Sequence, residues 1–319
     1  MVRDPELGAV LFTFPNDRKI AGLRRLLGRP GPGVAASRLV AWAPEKCATV
    51  RRMDAAGRTL AYAKAYAGDE GARTRRVHDV LRGPAAAAGL RLPRAISYDP
   101  EHRVLECEVL DGRPLAALEG SELEAGMRRL GAALAHLHRL EAPPLTPPFE
   151  RLEPTELRRA ASLIAALRPD CAGAASELAD RLVAQRPQAA PAVCLHGDVH
   201  PKNVLVGLGG LALVDLDQVA FGPAAADAGG ILAGLCYRRL TGELSGAAEG
   251  ALAHAVLDGY AAAGGTLDPA DMRWHVAAAL LAERALRAIT RIRPRGIERL
   301  SDLLAEADTA LASAAEVAA

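Results

Sequence analysis

The sequence predicts an α+β fold, with its strands gathered early and its helices late. Three observations point there. Short alternating apolar and polar runs, bounded by turn residues, fill the first third of the chain. Longer stretches of strong helix formers with helical periodicity fill most of the rest. The break Asp111-Gly112-Arg113-Pro114 separates the two patterns. With 319 residues the chain is long enough for two domains, each with its own core. The expected division is residues 1–110 and 111–319. Half of the residues are apolar but only 3% are aromatic, so the core must be built from Ala, Leu and Val in closely packed helices.

The elements follow in order. Val10–Phe14 reads as a short strand. Asn16 or Asp17 then caps a helix through Leu27, with Ile20, Leu23 and Leu27 on one face. Residues 28–33 form a Gly/Pro loop. Strands follow at Arg38–Ala43, Cys47–Met53 and Arg58–Tyr66, turned at Pro44-Glu45 and at Asp54-Ala55-Ala56-Gly57. A helix covers Ala72–Arg82, and Pro93 introduces strands at Arg94–Tyr98 and Arg103–Val109. Past the break, Ser121 and Glu124 have capping-box spacing, opening a helix to Leu140 with Leu130, Leu134, Leu137 and Leu140 in the core. The Pro-rich segment 141–150 is a loop. Helices fill Pro154–Leu167 and Ala172–Gln185, short strands Val204–Val206 and Leu211–Val214, and helices again most of the chain from Ala224, broken at Gly264-Gly265 and at Pro294. Alanine enrichment costs little in helices.

The net charge is +1, from 39 basic and 38 acidic side chains, so nothing global calls for nucleic acid or a membrane surface. No apolar stretch reaches the roughly 18 residues that span a bilayer. Met1 to Phe14 carries Asp4 and Glu6 and lacks the basic, then apolar, build of a signal peptide. The five cysteines are odd in number and widely spaced, without a Cys-x-x-Cys pair, which fits reduced thiols in a cytoplasm. Oligomeric state leaves no mark on the sequence.

The chemistry is concentrated in His196-Gly197-Asp198-Val199-His200-Pro201-Lys202-Asn203 and the acidic pair Asp215 and Asp217. A carboxylate at Asp198 can take the proton of an attacking hydroxyl. Asn203 offers a neutral oxygen to Mg²⁺, and Asp215, at the end of a strand, an anionic one. Mg²⁺ favours such a sparse set completed by phosphates and water. This is the inventory for phosphoryl transfer from a nucleoside triphosphate, where positioning and charge neutralisation carry the catalysis. The Walker pattern is absent, which argues against a P-loop kinase.

His-Gly-Asp-x-His-x-x-Asn, an apolar strand and Val-Asp-x-Asp together resemble the aminoglycoside phosphotransferase/choline kinase family, small-molecule relatives of the protein kinases. The resemblance implies a protein-kinase-like two-lobe fold, with a small antiparallel N-lobe and a larger, mostly helical C-lobe. It makes Asp198 the catalytic base and Asn203 and Asp215 the Mg²⁺ ligands. Asp227, in Ala226-Asp227-Ala228, matches an Asp that organises the family's active site, and Leu134-Ala135-His136-Leu137-His138 resembles the family's Leu-x-x-Leu-His helix. Lys64 matches the lysine on the third strand that binds nucleotide phosphates; strand alternation sets it on the face of Tyr62 and Tyr66. Glu108-Val109-Leu110-Asp111-Gly112 resembles the hinge, with backbone groups of Glu108 and Leu110 reading the base of ATP or GTP. The family pairs its lysine with a Glu on the next helix; here Glu70 and Asp79 are the acids at hand. The family's Gly-rich turn is replaced by Pro44-Glu45.

Around these residues, His196 and His200 read as loop-fixing, His136 and His138 as structural, and Asp217 either as a metal contact or as an exposed turn carboxylate. Arg284, Arg287 and Arg291 recur at helical spacing, with Arg293, Arg295 and Arg299 beyond. Such a run is ordinarily a solvated face, and otherwise a surface for an anionic acceptor or partner. Basic and acidic residues nearly balance from Ile231 onward, which argues against polycationic aminoglycosides and leaves sugars, amino alcohols and macrolide-like alcohols. The expected activity is ATP- or GTP-dependent phosphorylation of a small molecule's hydroxyl. The alternatives are a metallophosphoesterase built on Asp198 and His200, whose further metal-ligand blocks are missing, and a nucleotide-binding module without catalysis.

Overall fold

The computed structural model describes residues 2–4, 9–11, 14–28, 32–141, 146–187 and 191–317. Its contacts divide the chain into two compact units: residues 1–87, 91–111 and 212–217 in one, and residues 88–90, 112–211 and 218–319 in the other. Asp215 and Asp217 thus cluster with the sheet unit, although they lie a hundred residues beyond its other strands.

The first unit opens with a small pair, β1 (Val2–Asp4) and β2 (Ala9–Leu11). Residues 12 and 13 of the expected Val10–Phe14 strand, and residues 29–31 of the Gly/Pro loop, lie outside the described residues. Helix α1 (Ala21–Gly28) starts later than a cap at Asn16 or Asp17 would set it. The Asp17 carboxylate accepts from the Lys19 and Ile20 N–H groups as a cap would, but also from Trp42 and the Glu45 N–H, which ties the segment to a hairpin turn before the helix begins. The main sheet contains β3 (Ala36–Ala43), β4 (Cys47–Met53), β5 (Thr59–Tyr66), β6 (Ala95–Asp99) and β7 (Val104–Cys107), antiparallel in the order β3-β4-β5-β7-β6. Helix α2 (Glu70–Ala87) is inserted between β5 and β6 and is longer at both ends than its apolar periodicity shows. On β5, Ala61, Ala63 and Ala65 are buried and the last two pack with Ile20, Leu23 and Val50. The opposite face carries Tyr62, Lys64 and Tyr66, as period-2 alternation requires.

The second unit contains β8 (Arg113–Pro114), α3 (Gly120–His138), α4 (Pro154–Leu167), α5 (Ala172–Ala184), β9 (Ala192–Leu195) and β10 (Val204–Gly207). The chain then passes through β11 (Gly210–Leu213) to the acidic pair and returns at β12 (Ala220–Pro223). Helices α6 (Ala225–Leu240), α7 (Gly246–Ala262), α8 (Pro269–Ala279), α9 (Leu286–Thr290), α10 (Pro294–Glu298) and α11 (Leu300–Val317) complete it. The capping box at Ser121 does not form. The Glu119 carbonyl already accepts the first helical bond, so Ser121 lies inside the first turn rather than before it. Residues 142–145 of the expected Pro-rich loop lie outside the described residues.

Helices α3 and α7 approach so closely that a Cβ on Gly131 would sit 1.9 Å from the Val256 carbonyl oxygen, and one on Gly259 1.9 Å from that of Arg128. Small residues here let backbones meet where few aromatics exist to fill a wider gap. Leu157, Ile164, Leu178 and Leu182 of α4 and α5 pack against Trp274, Leu281, Leu303 and Leu311, and the Trp274 indole N–H donates to the Leu182 carbonyl at 2.9 Å. Among the described residues, no helix is long and apolar enough to cross a membrane.

Candidate active site

Strand β9 pairs antiparallel with β12, register Leu195 to Ala220, and delivers the chain into the loop of residues 196–203. The loop is held from beneath by Asp227, in the first turn of α6 and only 3% exposed. Its carboxylate accepts from the backbone N–H groups of His196 at 2.8 Å and Gly197 at 2.9 Å. His138 Nε2 stands 3.2 Å from the same carboxylate, which can only accept, so Nε2 carries the proton; Nδ1 meets the Tyr260 hydroxyl at 2.9 Å. Burial pushes the Asp227 carboxyl up, but His138, His196 and the backbone donors more than offset this and hold it below the ordinary range. Gly197 has φ +76°, and a Cβ there would lie 1.9 Å from the Gln218 carbonyl oxygen, so only glycine lets the loop pass.

Within the loop the Asp198 N–H faces His196 Nδ1 at 3.4 Å, and the Lys202 N–H donates to His200 Nδ1 at 3.3 Å. His200 thus caps the turn Pro201–Asn203, and both histidines fix the loop. The Asn203 amide donates to the Asp198 carbonyl at 3.1 Å, which orients the side chain and leaves its oxygen as the accepting end. The Asp198 carboxylate, 31% exposed, lies 3.3 Å from Arg151 Nη1 and 3.9 Å from Arg287 Nη1. Burial raises its pKa, and the two guanidiniums more than reverse that, leaving the group below the usual carboxylate range.

In the sheet unit, Lys64 Nζ lies 2.9 Å from Asp215 Oδ1 and 2.7 Å from Asp217 Oδ2. Burial alone would lower the Lys64 pKa, but the two carboxylates raise it, so the ammonium stays charged. Asp215 has φ +64°, the left-handed region that Asp tolerates better than most residues, and it turns the chain after β11. The two carboxylates differ. Asp217 is 14% exposed and accepts from the Tyr66 hydroxyl at 2.8 Å and Thr74 Oγ1 at 3.3 Å as well as from Lys64, so it is not the exposed turn residue the sequence allowed. Asp215 is 41% exposed and shares only one oxygen with Lys64, leaving the other available to a cation. The lysine is therefore partnered by the strand-end pair; Asp79 is engaged with Arg75 instead, and α2 contributes Thr74 and Arg73, whose Nη2 donates to the Asp217 carbonyl. Glu108 binds back to Arg94: its carboxylate accepts the Arg94 N–H at 2.7 Å and its own N–H donates to the Arg94 carbonyl at 3.0 Å. Leu110 is partly buried.

Residues 48–275 match the model of the phosphotransferase enzyme family. The chain belongs to this family. The phosphotransferase fold extends over nearly its full length, as its structural neighbours show. A thermostable mutant of aminoglycoside phosphotransferase APH(4)-Ia is 16% identical, with TM-score 0.63, covering 88% of this chain and 95% of its own. APH(3'')-Id from Streptomyces rimosus is 19% identical, TM-score 0.57, over 82% and 96%. Macrolide 2'-phosphotransferase MphH from Brachybacterium faecium is 16% identical, TM-score 0.52, over 90% and 97%. No curated protein matches the chain in sequence. This phosphotransferase is accordingly a small-molecule kinase with a protein-kinase-like fold, a five-stranded antiparallel sheet preceding a mostly helical remainder.

Two residues at Asp198 were not singled out in the sequence. Arg151 lies between the Pro-rich segment and α4, where nothing marks it. Glu283, 8% exposed, accepts from Arg151 Nε at 3.2 Å, and no motif contains it. The solvated-face reading of Arg284 and Arg287 is corrected: both turn inward. Residues Leu280–Ala285 form a π-helical turn, with the Leu286 N–H bonded to the Leu281 carbonyl, and the wider turn shifts the helical phase. Arg291, Arg293, Arg295 and Arg299 lie past that turn and are exposed, as a solvated face should be.

Proposed function

We propose that the protein transfers the γ-phosphoryl group of ATP or GTP to a hydroxyl of a small molecule in the cytoplasm, with Asp198 as the base. The observation that carries this reading is the Asp227 clamp, which fixes Asp198 and Asn203 on one loop through backbone bonds of 2.8 and 2.9 Å. Neighbours of the same fold have been captured with AMP-PNP and hygromycin B, with ADP and streptomycin, and with AMP-PNP, Ca²⁺ and Ami, which favours a nucleotide donor and a small acceptor.

Asp198 orients the acceptor hydroxyl and receives its proton as the acceptor oxygen bonds to the γ-phosphorus. The bond from that phosphorus to the β–γ bridging oxygen breaks, and the oxygen leaves with the electron pair on the nucleoside diphosphate. Lys64 supplies a point charge for phosphate oxygens, and backbone groups at Glu108 and Leu110 take the base. Asn203 and Asp215 would hold Mg²⁺; a neutral amide oxygen and one accessible carboxylate oxygen are the hard donors that ion takes. When bound, Mg²⁺ neutralises triphosphate charge. Asp217, occupied by three side-chain donors, positions Lys64 instead.

Asp198→Ala should lower turnover by about 10²- to 10⁴-fold while AMP-PNP binding, followed by calorimetry, persists. Undiminished turnover in that variant would remove Asp198 from the chemistry.

A further inference from the structure

Asp198 lines a small, partly open cleft formed within the helical unit, together with Arg151, His200, Glu283 and Arg284 among others. Arginines outnumber the carboxylates that face them. Arg151, Arg284 and Arg287 bring three cations, and Asp198 and Glu283 are the carboxylates beside them. Asp227 also lines the cleft and keeps its charge, so the formal total is even, but its carboxylate is turned to His138 and two backbone donors.

The arginines are also incompletely satisfied at the atomic level. Arg284 Nη2 donates to the Gly230 carbonyl at 2.7 Å, while its buried Nε–H has no acceptor among the described residues. Buried donors are nearly always paired, so this one takes a water or a ligand oxygen from the cleft that Arg284 lines. Burial lowers the Arg284 pKa, and Arg287 and Arg151 add to that while Glu283 and Asp198 oppose it. Arg287 is held only loosely, 3.9 Å from Asp198 and 4.0 Å from Glu283, both beyond hydrogen-bond range. Several guanidinium N–H groups around the base are therefore open to a planar or tetrahedral oxyanion, which arginine binds through paired N–H groups.

We propose that the acceptor is itself an anion, a small hydroxylated carboxylate or phosphate whose charged group docks on Arg151, Arg284 and Arg287 and whose hydroxyl meets Asp198. This rests on the kinase reading above. The acceptor oxygen bonds to the γ-phosphorus, the nucleoside diphosphate leaves with the bridging electron pair, and the hydroxyl proton goes to Asp198. The acceptor's charged group remains unchanged. An anion on Arg151 also draws that guanidinium away from Asp198, making the base free when the acceptor is present. A polycation would meet like charge at the same place, which costs binding instead of supplying it.

The test uses the full chain, Mg²⁺ and ATP or GTP, with acceptors in matched pairs. Glycerate, 4-hydroxybutyrate, gluconate and glycerol 3-phosphate are compared with glyceramide, 4-hydroxybutyramide, glucose and glycerol, with kanamycin as a polycation. Nucleotide consumption is measured, and AMP-PNP binding separately. At least one anionic member should be consumed at a kcat/KM about 10- to 100-fold above its uncharged partner, the worth of one charge-assisted hydrogen bond. Arg287→Met should erase that ratio, and Arg287→Lys should restore part of it. A protein that binds AMP-PNP but uses the uncharged or cationic members equally well or better, or none of the anions, overturns the proposal. Loss of AMP-PNP binding in the wild-type chain would instead count against the kinase reading on which it rests.

Discussion

Two charged clusters of this protein are built with opposite imbalance. In the sheet unit one lysine faces two carboxylates, Asp215 and Asp217, so the cluster has an anionic surplus. In the helical unit three arginines surround the two carboxylates that face them, Asp198 and Glu283, so the surplus among these groups is cationic. Each imbalance suits an incoming ligand of the other sign: a metal cation accompanying a triphosphate in the first, an anionic acceptor in the second. A third group separates scaffold from chemistry. The carboxylate of Asp227 is fully committed to protein donors, and nothing about it waits for a ligand. The four aspartates between positions 198 and 227 thus differ in task by what donates to them, and not by residue type.

The comparison breaks most visibly at Asp227. Asp227→Ala leaves the His196 and Gly197 N–H groups and His138 without their acceptor in a buried site, and should cost about 3–5 kcal/mol in urea denaturation. Its pH dependence follows from the depressed carboxyl. Stabilisation from a carboxylate whose folded pKa is lowered is present above the unfolded value of about 3.9 and is lost as pH falls through the folded pKa. Wild type and variant should therefore converge in stability below about pH 4. A deficit constant from pH 7 to pH 3 would mean that packing, and not charge, is what Asp227 contributes.

Within the anionic cluster, Asp215→Asn and Asp217→Asn should behave differently although the residues are two apart. Asp217 is enclosed by Lys64, Tyr66 and Thr74, and its substitution should lower stability by about 2 kcal/mol, the scale of hydrogen bonds to a charged group. Asp215 is partly exposed and shares one oxygen with Lys64, so its substitution should leave stability within about 0.5 kcal/mol and raise the Mg²⁺ concentration needed for half-maximal turnover. Equal effects of the two substitutions on metal requirement would merge roles that are separated here.

How much of this was legible in the sequence depends on how far apart the cooperating residues lie. The loop of residues 196–203 is contiguous, so its spacing reveals it. The main strands could be read because alternation and turn residues are local, and Ala61, Ala63 and Ala65 do face opposite Lys64. Strands β9 and β12 escaped notice because β9 runs into the loop of residues 196–203 with no turn residue between them, and β12 ends in Gly222-Pro223, which ordinarily marks a turn. The partner of Lys64 was sought on the adjoining helix, whereas Asp215 and Asp217 come from about 150 residues away. The capping-box pattern at Ser121 was present but falls two residues inside the helix that formed, which is capped at Glu119. Arg284 and Arg287 were assigned to solvent because a uniform α-helical period was assumed across residues 280–285, where the backbone is π-helical. Arg151 had no signal, since an arginine beside a Pro-rich segment is ordinary until the fold sets it against Asp198.

Arg151 gives the smallest and sharpest test, because its guanidinium hydrogen-bonds the Asp198 carboxylate directly. Its guanidinium, together with that of Arg287, holds the Asp198 carboxyl below its ordinary range despite burial. A base must be deprotonated to act, so activity is present above the Asp198 pKa and lost as pH falls through it. In the wild type the acid limb of kcat/KM, which reports the free enzyme, should lie below about pH 4. Arg151→Met removes the hydrogen bond and the nearer of the two guanidiniums while burial remains, so the limb should move upward. The height of the profile also falls if Arg151 binds the acceptor, but height and position are separate readouts. A limb that stays in place while activity falls would keep Arg151 as an acceptor contact and remove it as the group that tunes Asp198. A limb that moves ties the arginines of the cleft to the strength of the base.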